Sequence, residues 1–351
     1  MAASTAAGGS KGQSRDEGVS VMRLVEISAG YWLPRALQVV ADLGVADTID
    51  GEPRGAEEIA AELGVNPDAL NRLLRLLASH GVFERAVSQN GGKYGHNELS
   101  RALRSDHPQS MRAYVRLLGL PVVWDSWGKL GEVVRSGEPA VKDIFRYFQA
   151  RPDITEIFDG AMKSKSQGAI GQVVANYDFS GFKTVADIGG GLGHLLTAIL
   201  AATPSVRGIL FDQPHVVSRV ALDPLLQERM EAQGGDFFKG PLPRCDAYVV
   251  MEVLHDWTDE QCGEILRQIR NAAPEGAKLL VVETVLPDER AWAAGKGEHF
   301  GNHLDINMMV LTGGRERTPE EFARMFGDSG WKMSRVVKTD SPYSIVEAAA
   351  V

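Results

Sequence analysis

The segment that most constrains the fold is an apolar strand that ends in an acid and leads into a glycine-rich turn before a helix. Residues 185–193 read Val-Ala-Asp-Ile-Gly-Gly-Gly-Leu-Gly, and a helical pattern begins at His194. Glycine tolerates positive φ and lets the backbone approach a ligand, while the first turn of a helix presents N–H groups that lack intrahelical partners. The segment therefore predicts a parallel strand-turn-helix unit with a ligand at the turn.

The spacing of the glycines separates two kinds of ligand. A dinucleotide turn follows Gly-x-Gly-x-x-Gly, whereas Gly189, Gly191 and Gly193 stand at alternate positions. Asp187 before the turn would repel a pyrophosphate, but it could orient an ammonium-bearing ligand. Asp212 ends the next predicted strand about 20 residues on, where a carboxylate receives ribose hydroxyls. The pattern favours a nucleoside without a diphosphate, and S-adenosylmethionine is the common ligand of that kind.

Length, charge and cysteine content exclude several classes of protein. The 351 residues suffice for two domains, and the formal net charge of -9 argues against nucleic acid as a partner. Two cysteines, Cys245 and Cys262, indicate neither a disulfide framework nor a cysteine metal cluster, and no metal site is predicted. Residues 1–18 are rich in Ala, Ser and Gly, which predicts a disordered tail. No apolar stretch is long enough to span a bilayer, which predicts a cytoplasmic protein with no membrane partner.

The periodicity of the chain changes near residue 170. Before that point the pattern is helical, over 19–43, 56–63, 67–80, 109–118 and further segments up to residue 162. After it, strands are predicted over 184–188, 208–211, 247–251, 278–283, 332–337 and 343–348. Helices are predicted to begin between them near residues 194, 215, 259 and 318. The alternation predicts an α/β fold with a mostly parallel sheet, to which the last two strands could add an antiparallel edge.

The N-terminal half contains a pattern typical of a winged helix. Residues 56–77 have the shape of a helix-turn-helix, and a short strand pattern follows. A regulator that senses a small ligand is one interpretation. The second helix, however, offers only Arg72 and Arg75, and the helix before it carries three glutamates. Because phosphate binding needs several basic residues on one face, packing or dimerisation through the amphipathic residues 21–40 is favoured.

The candidate catalytic residues follow the later strands of the sheet. His255 follows the predicted strand 247–251, so it should lie on the edge of the sheet that bears the ligand. An imidazole is suited to proton abstraction at neutral pH. Glu283 ends the next strand, and Glu316 lies in a loop before the last helix. If either carboxylate reaches the imidazole, it can select the tautomer and stabilise the charged form.

Several motifs in order resemble one family, the two-domain S-adenosylmethionine-dependent O-methyltransferases of plant caffeate and bacterial antibiotic biosynthesis. The resemblance covers about residues 20–351 and rests on segments 187–193, 211–215, 234–238, 254–257 and 313–318. It implies a Rossmann-like catalytic domain preceded by an α-helical winged-helix domain that forms a homodimer. The corresponding boundaries are a tail over 1–18, a dimerisation domain over 19–104, a helical connector over 105–170 and a catalytic domain over 171–351.

The resemblance also assigns residues to the cofactor, S-adenosylmethionine. Gly189 matches the glycine at its methionine part, Asp212 the acid at its ribose, and Trp257 an aromatic wall. The full set of cofactor candidates is Asp187, Gly189, Gly191, Asp212, Asp236, Phe237, Met251, Trp257 and Ser166. Within it, Asp236 and Phe237 match the adenine contacts, and Ser166 matches a hydroxyl near the cofactor carboxylate. Plant relatives carry lysine at the position of Met251 and tryptophan at that of Glu252, so this chain must complete the pocket differently.

In the same family a histidine at the position of His255 is the general base, bracketed by Glu283 and Glu316. Met162 matches a methionine that presses on an aromatic substrate, and Asn307 and Met308 lie on the acceptor side. Trp124 and Phe145 are further candidates, as aromatic residues that could close the acceptor pocket.

The function implied is methyl transfer to a hydroxyl, expected to be phenolic, of a small aromatic or polyketide-like natural product in secondary metabolism. Three alternatives stay open: a relative that performs hydroxylation or decarboxylation, a nicotinamide oxidoreductase, and a ligand-sensing regulator. The glycine spacing disfavours the oxidoreductase, and the acidic balance disfavours the regulator. Residues 290–302 could form a lid or a solvated loop.

Overall fold

The computed structural model describes residues 13–88 and 91–351, and the chain divides into two compact units, residues 1–120 and 121–351. Of the tail predicted over 1–18, residues 1–12 lie outside the described residues, and the first helix already begins at Gln13. No helix among the described residues combines the length and the apolar character that crossing a membrane requires. The predicted domain boundaries at 104 and 170 stay predictions.

The first unit is a winged helix preceded by two helices. Its helices are α1 Gln13–Ala29, α2 Trp32–Leu43, α3 Ala56–Leu63, α4 Pro67–Ser79, α5 Glu98–Arg101 and α6 Arg112–Gly119, with a 3-10 turn over Val45–Thr48. Its strands are β1 Arg54–Gly55, β2 Glu84–Ser88 and β3 Gly91–Gly95, which form an antiparallel sheet in the order β1-β3-β2. The side chains of Val40, Ile59, Leu74, Phe83 and Tyr94 are buried in one core.

One helix predicted over 19–43 is two helices in the structure. Pro34 lies in the first turn of α2, where its missing N–H costs nothing, but its ring would clash with the carbonyl of Gly30 in a continuous helix. Gly30 itself has low helix propensity. The break therefore follows from a glycine and a proline four residues apart.

The second unit holds four helices followed by an α/β sheet. The leading helices are α7 Pro121–Gly128, α8 Leu130–Ser136, α9 Ile144–Gln149 and α10 Pro152–Asn176. The strands are β4 Thr184–Ile188, β5 Arg207–Asp212, β6 Met230–Gly234, β7 Ala247–Met251, β8 Lys278–Glu283, β9 Trp331–Lys338 and β10 Ser344–Ala350. The helices among them are α11 His194–Ala202, α12 Pro214–Val217, α13 Asp259–Ala272, α14 Glu289–Ala293, α15 Phe300–Leu311 and α16 Pro319–Gly327, with a 3-10 turn over Leu254–Asp256.

The seven strands form one sheet in the order β6-β5-β4-β7-β8-β10-β9. Strands β4 to β8 pair in parallel, and β10 pairs antiparallel with both β8 and β9. Successive residues of β4 point to opposite faces: Val185 packs in the core with α10 and α11, and Ala186 in the core with α13 and α16. The predicted Rossmann-like sheet with an antiparallel edge is confirmed.

Three elements of the second unit were not predicted from the sequence. Strand β6 reads Met-Glu-Ala-Gln-Gly and lies at the edge of the sheet. An edge strand is less completely covered than a central one, so its sequence need not be a continuous apolar run. Helix α15 begins at Phe300, inside the segment for which a lid or a loop was expected, and that segment also contains α14. Glycine and charged residues obscured both helical starts.

Candidate active site

The site lies where the strand order reverses, between β4 and β7. The chain leaves these parallel neighbours toward opposite sides of the sheet, which opens a crevice at their carboxyl ends. Three segments meet there: the turn 189–193 after β4, the loop 252–258 after β7, and Glu283 at the end of β8. The topology therefore brings the predicted glycine turn and the predicted catalytic histidine to one edge.

The glycine turn is built to face a ligand. Gly189, Gly191 and Gly193 adopt φ of 71, 59 and 80°, in the left-handed region that favours glycine. The N–H of Gly191 donates to Oδ2 of Asp212 at 2.8 Å, so the acid that ends β5 holds the turn. A Cβ at Gly191 would meet nothing within 4 Å, whereas one at Gly189 would come within 2.8 Å of Val253. Open space thus lies over the middle of the turn.

Asp187 is a buried carboxylate whose one nearby donor in the described part of the chain is the backbone N–H of Leu196. Its side chain is 1% exposed, and neither oxygen meets hydrogen-bond geometry with any described group. Burial, together with the charge of Asp212, raises the pKa of Asp187 to about 7, and burial also raises the pKa of Asp212. Burying two acids costs free energy of desolvation. The pair is suited to a cationic or ammonium-bearing ligand with hydroxyl donors, as S-adenosylmethionine is.

Aromatic rings cluster around Trp257. Phe237 and Phe238 meet the indole edge-on, with ring centroids 6.1 and 4.9 Å from it. Phe145 of α9, expected on the acceptor side, stacks on Trp257 with centroids 6.4 Å apart. Asp236 lies further out, where a hydrogen bond from Lys239 lowers the pKa of its carboxyl. The structure therefore joins Phe145 to the candidate adenine contacts.

His255 and two glutamates form a buried cluster. The Nδ1 atom of His255 lies 2.8 Å from Oε1 of Glu316, and the backbone N–H of His255 donates to Oε1 of Glu283 at 3.0 Å. All three side chains are buried, and ligand atoms of the three lie within 4.8 Å of one another. Because Glu316 accepts from Nδ1–H, the proton-accepting atom of the neutral ring is Nε2. That atom is 3.9 Å from Asp256, too far for a hydrogen bond.

The carboxylates make His255 a strong base. Burial alone would lower its pKa, but the charge of Asp256, the hydrogen bond to Glu316 and the charge of Glu283 raise it to about 10. Burial in turn raises the pKa of Glu283 and brings that of Asp256 to about 6. The cluster therefore stabilises an imidazolium.

Arg317, to which no sequence pattern assigned a role, holds the loops of this cluster together. Its guanidinium is 1% exposed and donates to the carbonyls of Leu254 and Trp257, both at 3.0 Å, and to Asp259 at 2.9 Å. Gly314 packs so closely that an added Cβ would lie 2.0 Å from the carbonyl oxygen of His255. Arg317 lies in the segment 313–318, which carries part of the family resemblance. The spacing of that segment does not reveal which groups the guanidinium contacts.

The acceptor candidates Trp124, Asn307 and Met308 lie on α7 and α15. Trp127 of α7 donates to the Asn307 side chain at 3.0 Å, and Met308 follows on the buried face of α15. Asp305, also on α15, accepts the backbone N–H of Glu316 at 2.9 Å. Trp124 is half-buried on α7.

Helix α10 carries the other two predicted pocket residues. Met162 is half-buried, and the hydroxyl of Ser166 donates to the Met162 carbonyl at 2.8 Å. Between these two residues on α10, Lys165 forms an ion pair with Glu252, which follows the half-buried Met251 at the end of β7. No sequence pattern pointed to Lys165.

The fold and the glycine turn are those of an enzyme with a nucleoside-bearing cofactor, and comparison with known proteins identifies the family. Residues 127–332 match the model of the O-methyltransferase domain, and residues 25–106 match that of the O-methyltransferase dimerisation domain. The chain belongs to this family and is an S-adenosylmethionine-dependent O-methyltransferase, so the predicted family, cofactor and reaction class are confirmed.

Individual relatives align with nearly the whole chain. The phenazine O-methyltransferase of Lysobacter antibioticus is 39% identical, over 93% of this chain and 96% of its own length. The O-demethylpuromycin-O-methyltransferase of Streptomyces alboniger is 35% identical, over 94% of this chain and 89% of its own. The solved structure of human N-acetylserotonin methyltransferase in complex with SAM has a TM-score of 0.86 at 26% identity and covers 98% of this chain and 99% of its own.

We predict that Asp187→Asn stabilises the cofactor-free protein at pH 8. The raised pKa of Asp187 means that its ionisation opposes folding as pH rises from about 4 to about 7. The neutral amide removes that cost, so the free energy of unfolding should rise by about 1–3 kcal/mol at pH 8, with no gain near pH 4. Thermal unfolding of the variant and of the exposed control Asp178→Asn measures this. A loss of stability at pH 8 would contradict the prediction.

Proposed function

We propose that this enzyme methylates a phenolic hydroxyl of an aromatic or polyketide-like natural product, with His255 as general base. The observation that carries the proposal is the buried hydrogen bond between His255 and Glu316 at the edge that also bears the glycine turn. The names of the two bacterial relatives, a phenazine and an O-demethylpuromycin O-methyltransferase, support a natural-product acceptor.

When bound, S-adenosylmethionine supplies a methyl group already activated by its sulfonium charge. The residues of the protein then have two tasks: to hold an oxygen nucleophile in line, and to receive its proton. The Nε2 atom of His255 takes the proton while Glu316 holds Nδ1–H and Glu283 holds the backbone N–H. A phenol such as tyrosine ionises near pH 10, about the pKa of His255, so the proton moves between groups of matched basicity.

For the cofactor we assign the residues around the turn. Asp187 receives its ammonium group, Gly189 and Gly191 give its methionine part room, and Asp212 accepts from its ribose hydroxyls. Phe237, Trp257 and Asp236 would enclose the adenine, and Phe145 extends that wall because it stacks on Trp257. Ser166 and Met251 are assigned to the methionine end.

For the acceptor we assign Met162 on α10, Trp124 on α7, and Asn307 and Met308 on α15. Methionine and tryptophan supply apolar contacts for an aromatic ring and exclude water from the reacting oxygen. The bond from Trp127 orients the Asn307 amide.

We further propose that the enzyme is a homodimer. The N-terminal helices expose an apolar face, with Val21, Leu24, Ile27 and Trp32 between 61 and 64% exposed, and the dimerisation-domain match begins at residue 25. An apolar face of this kind is typical of an interface with a second subunit.

We expect S-adenosylmethionine, but not NADH, to bind the purified protein in calorimetric titrations. Asp212→Ala should abolish this binding, because it removes both the acid and the partner of the Gly191 N–H. The exposed control Asp178→Ala should bind as the wild type does. Binding of NADH, or S-adenosylmethionine affinity unchanged in Asp212→Ala, would count against the assignment of the site.

The rate should depend on pH through His255. Because its raised pKa keeps the imidazole protonated at neutral pH, kcat/KM should rise with pH toward about 10. Glu316→Gln removes a carboxylate that raises this pKa, so the ascending limb should move to lower pH, and kcat on the plateau above it should fall by about 10²-fold. A profile unchanged by Glu316→Gln would overturn the role of Glu316, and full activity in His255→Ala would overturn the base.

The paired substitution Leu24→Glu and Ile27→Glu should convert the dimer to a monomer. Two buried charges at an apolar interface are costly, whereas in the monomer both positions face water. Sedimentation velocity gives the mass. Val87→Glu, which replaces an exposed apolar residue on β2, is the matched control and should remain dimeric. A monomeric wild type at micromolar concentration would contradict the proposal.

A further inference from the structure

Glu252 has a backbone conformation that is unusual for a residue other than glycine. It directly follows β7 and has a φ of 52°, the one positive φ outside glycine among the described residues. Such a conformation is strained for a residue with a Cβ, and strained residues cluster at functional sites. The surrounding contacts must therefore hold Glu252 in place.

Two side chains from distant elements hold it. Lys165 of α10 forms an ion pair with Oε1 of Glu252, and the hydroxyl of Tyr343, just before β10, donates to the same oxygen at 2.7 Å. Burial would raise the pKa of Glu252, but the charges of Lys165 and His255 and the hydrogen bonds from Lys165 and Tyr343 together lower it, so the carboxylate is ionised at neutral pH. Burial raises the pKa of Tyr343, which keeps its hydroxyl a neutral donor.

These three residues, called here the polar triad, lie beside the base. Glu252 precedes His255 by three residues, and the charge of His255 also lowers the pKa of Glu252. The charge of Lys165 acts on Asp256 as well. Met162, assigned to the acceptor, lies one helical turn before Lys165 on α10. The side chains of Lys165 and Glu252 retain 16 and 12% exposure, so the pair borders accessible space.

Stability alone does not account for the triad. A largely buried ion pair often contributes no more to stability than apolar residues of the same volume, because desolvation offsets the attraction. The Glu252 carboxylate can also accept further hydrogen bonds. It offers about four lone-pair sites, and the bonds from Lys165 and Tyr343 occupy two of them. The neighbouring acids Asp256 and Glu316 disfavour a further negative charge.

We propose that the polar triad is a wall of the acceptor pocket and selects aromatic acceptors with a hydrogen-bond donor, an amino or second hydroxyl group, next to the hydroxyl that is methylated. Glu252 accepts from that donor, while Lys165 and Tyr343 hold Glu252 in position. A carboxylate at the same ring position is rejected. The inference rests on the proposed function and specifies its substrate class.

The test compares four small phenols that differ only in the ortho substituent: 2-aminophenol, catechol, 2-methylphenol and salicylate. Methyl transfer from S-adenosylmethionine is measured with the wild type and with the double variant Lys165→Met/Glu252→Gln, which removes both charges together. The control is Asp159→Asn/Arg219→Met, which removes another ion pair that α10 makes. Thermal unfolding and calorimetric binding of S-adenosylmethionine verify that each variant is folded.

In the wild type, kcat/KM for 2-aminophenol and catechol should exceed that for 2-methylphenol and salicylate by about tenfold or more. In the double variant the ratio of kcat/KM for 2-aminophenol or catechol to that for 2-methylphenol should fall toward one, and the control should keep the ratio of the wild type. A preference that survives in the double variant, its absence from the wild type, or a preference for salicylate would overturn the triad's role. Failure of all four phenols, with S-adenosylmethionine still bound, would instead count against the proposed phenolic acceptor and the inference with it.

Discussion

A buried guanidinium holds together the two loops that carry His255 and Glu316. Arg317 donates to backbone carbonyls on both sides of His255, and its sequence neighbour Glu316 bonds the imidazole. A buried cation is costly unless hydrogen bonds and an opposite charge offset that cost, and here two carbonyls and Asp259 do so. Gly314 contacts the His255 carbonyl so closely that no side chain fits at position 314. The distance between the His255 imidazole and Glu316 is therefore set by packing and hydrogen bonds rather than by either side chain alone.

The site concentrates carboxylates in a crevice of the sheet, which is unfavourable for folding in the absence of a ligand. Asp187 and Asp212 lie at the cofactor turn, and Glu283 and Glu316 surround His255. In the function proposed above, a cationic cofactor compensates the first pair, and the imidazolium compensates the second. On that proposal the same acids oppose the stability of the free fold and supply affinity and basicity for methyl transfer.

Much of this was predictable because the informative patterns are local. The buried strands, the glycine turn, Asp212 and His255 lie in short segments whose residue types have few alternative explanations. The assignment of Phe145 to the acceptor side did not anticipate its stacking on Trp257, since the path of α9 depends on tertiary packing. Lys165, Tyr343 and Glu252 come from three elements far apart in sequence, and no periodicity brings them together. Edge strand β6 was missed because its polar residues do not form an apolar run.

The most direct test of the account is the titration of the His255 imidazole by NMR on histidine-labelled protein, with its resonance assigned from His255→Gln. We predict that the pKa of the imidazole is about 10, well above the ordinary value, and that it decreases clearly in Glu316→Gln. Titration of His255 near the ordinary value of about 6.5, in a folded protein that binds S-adenosylmethionine, would contradict it.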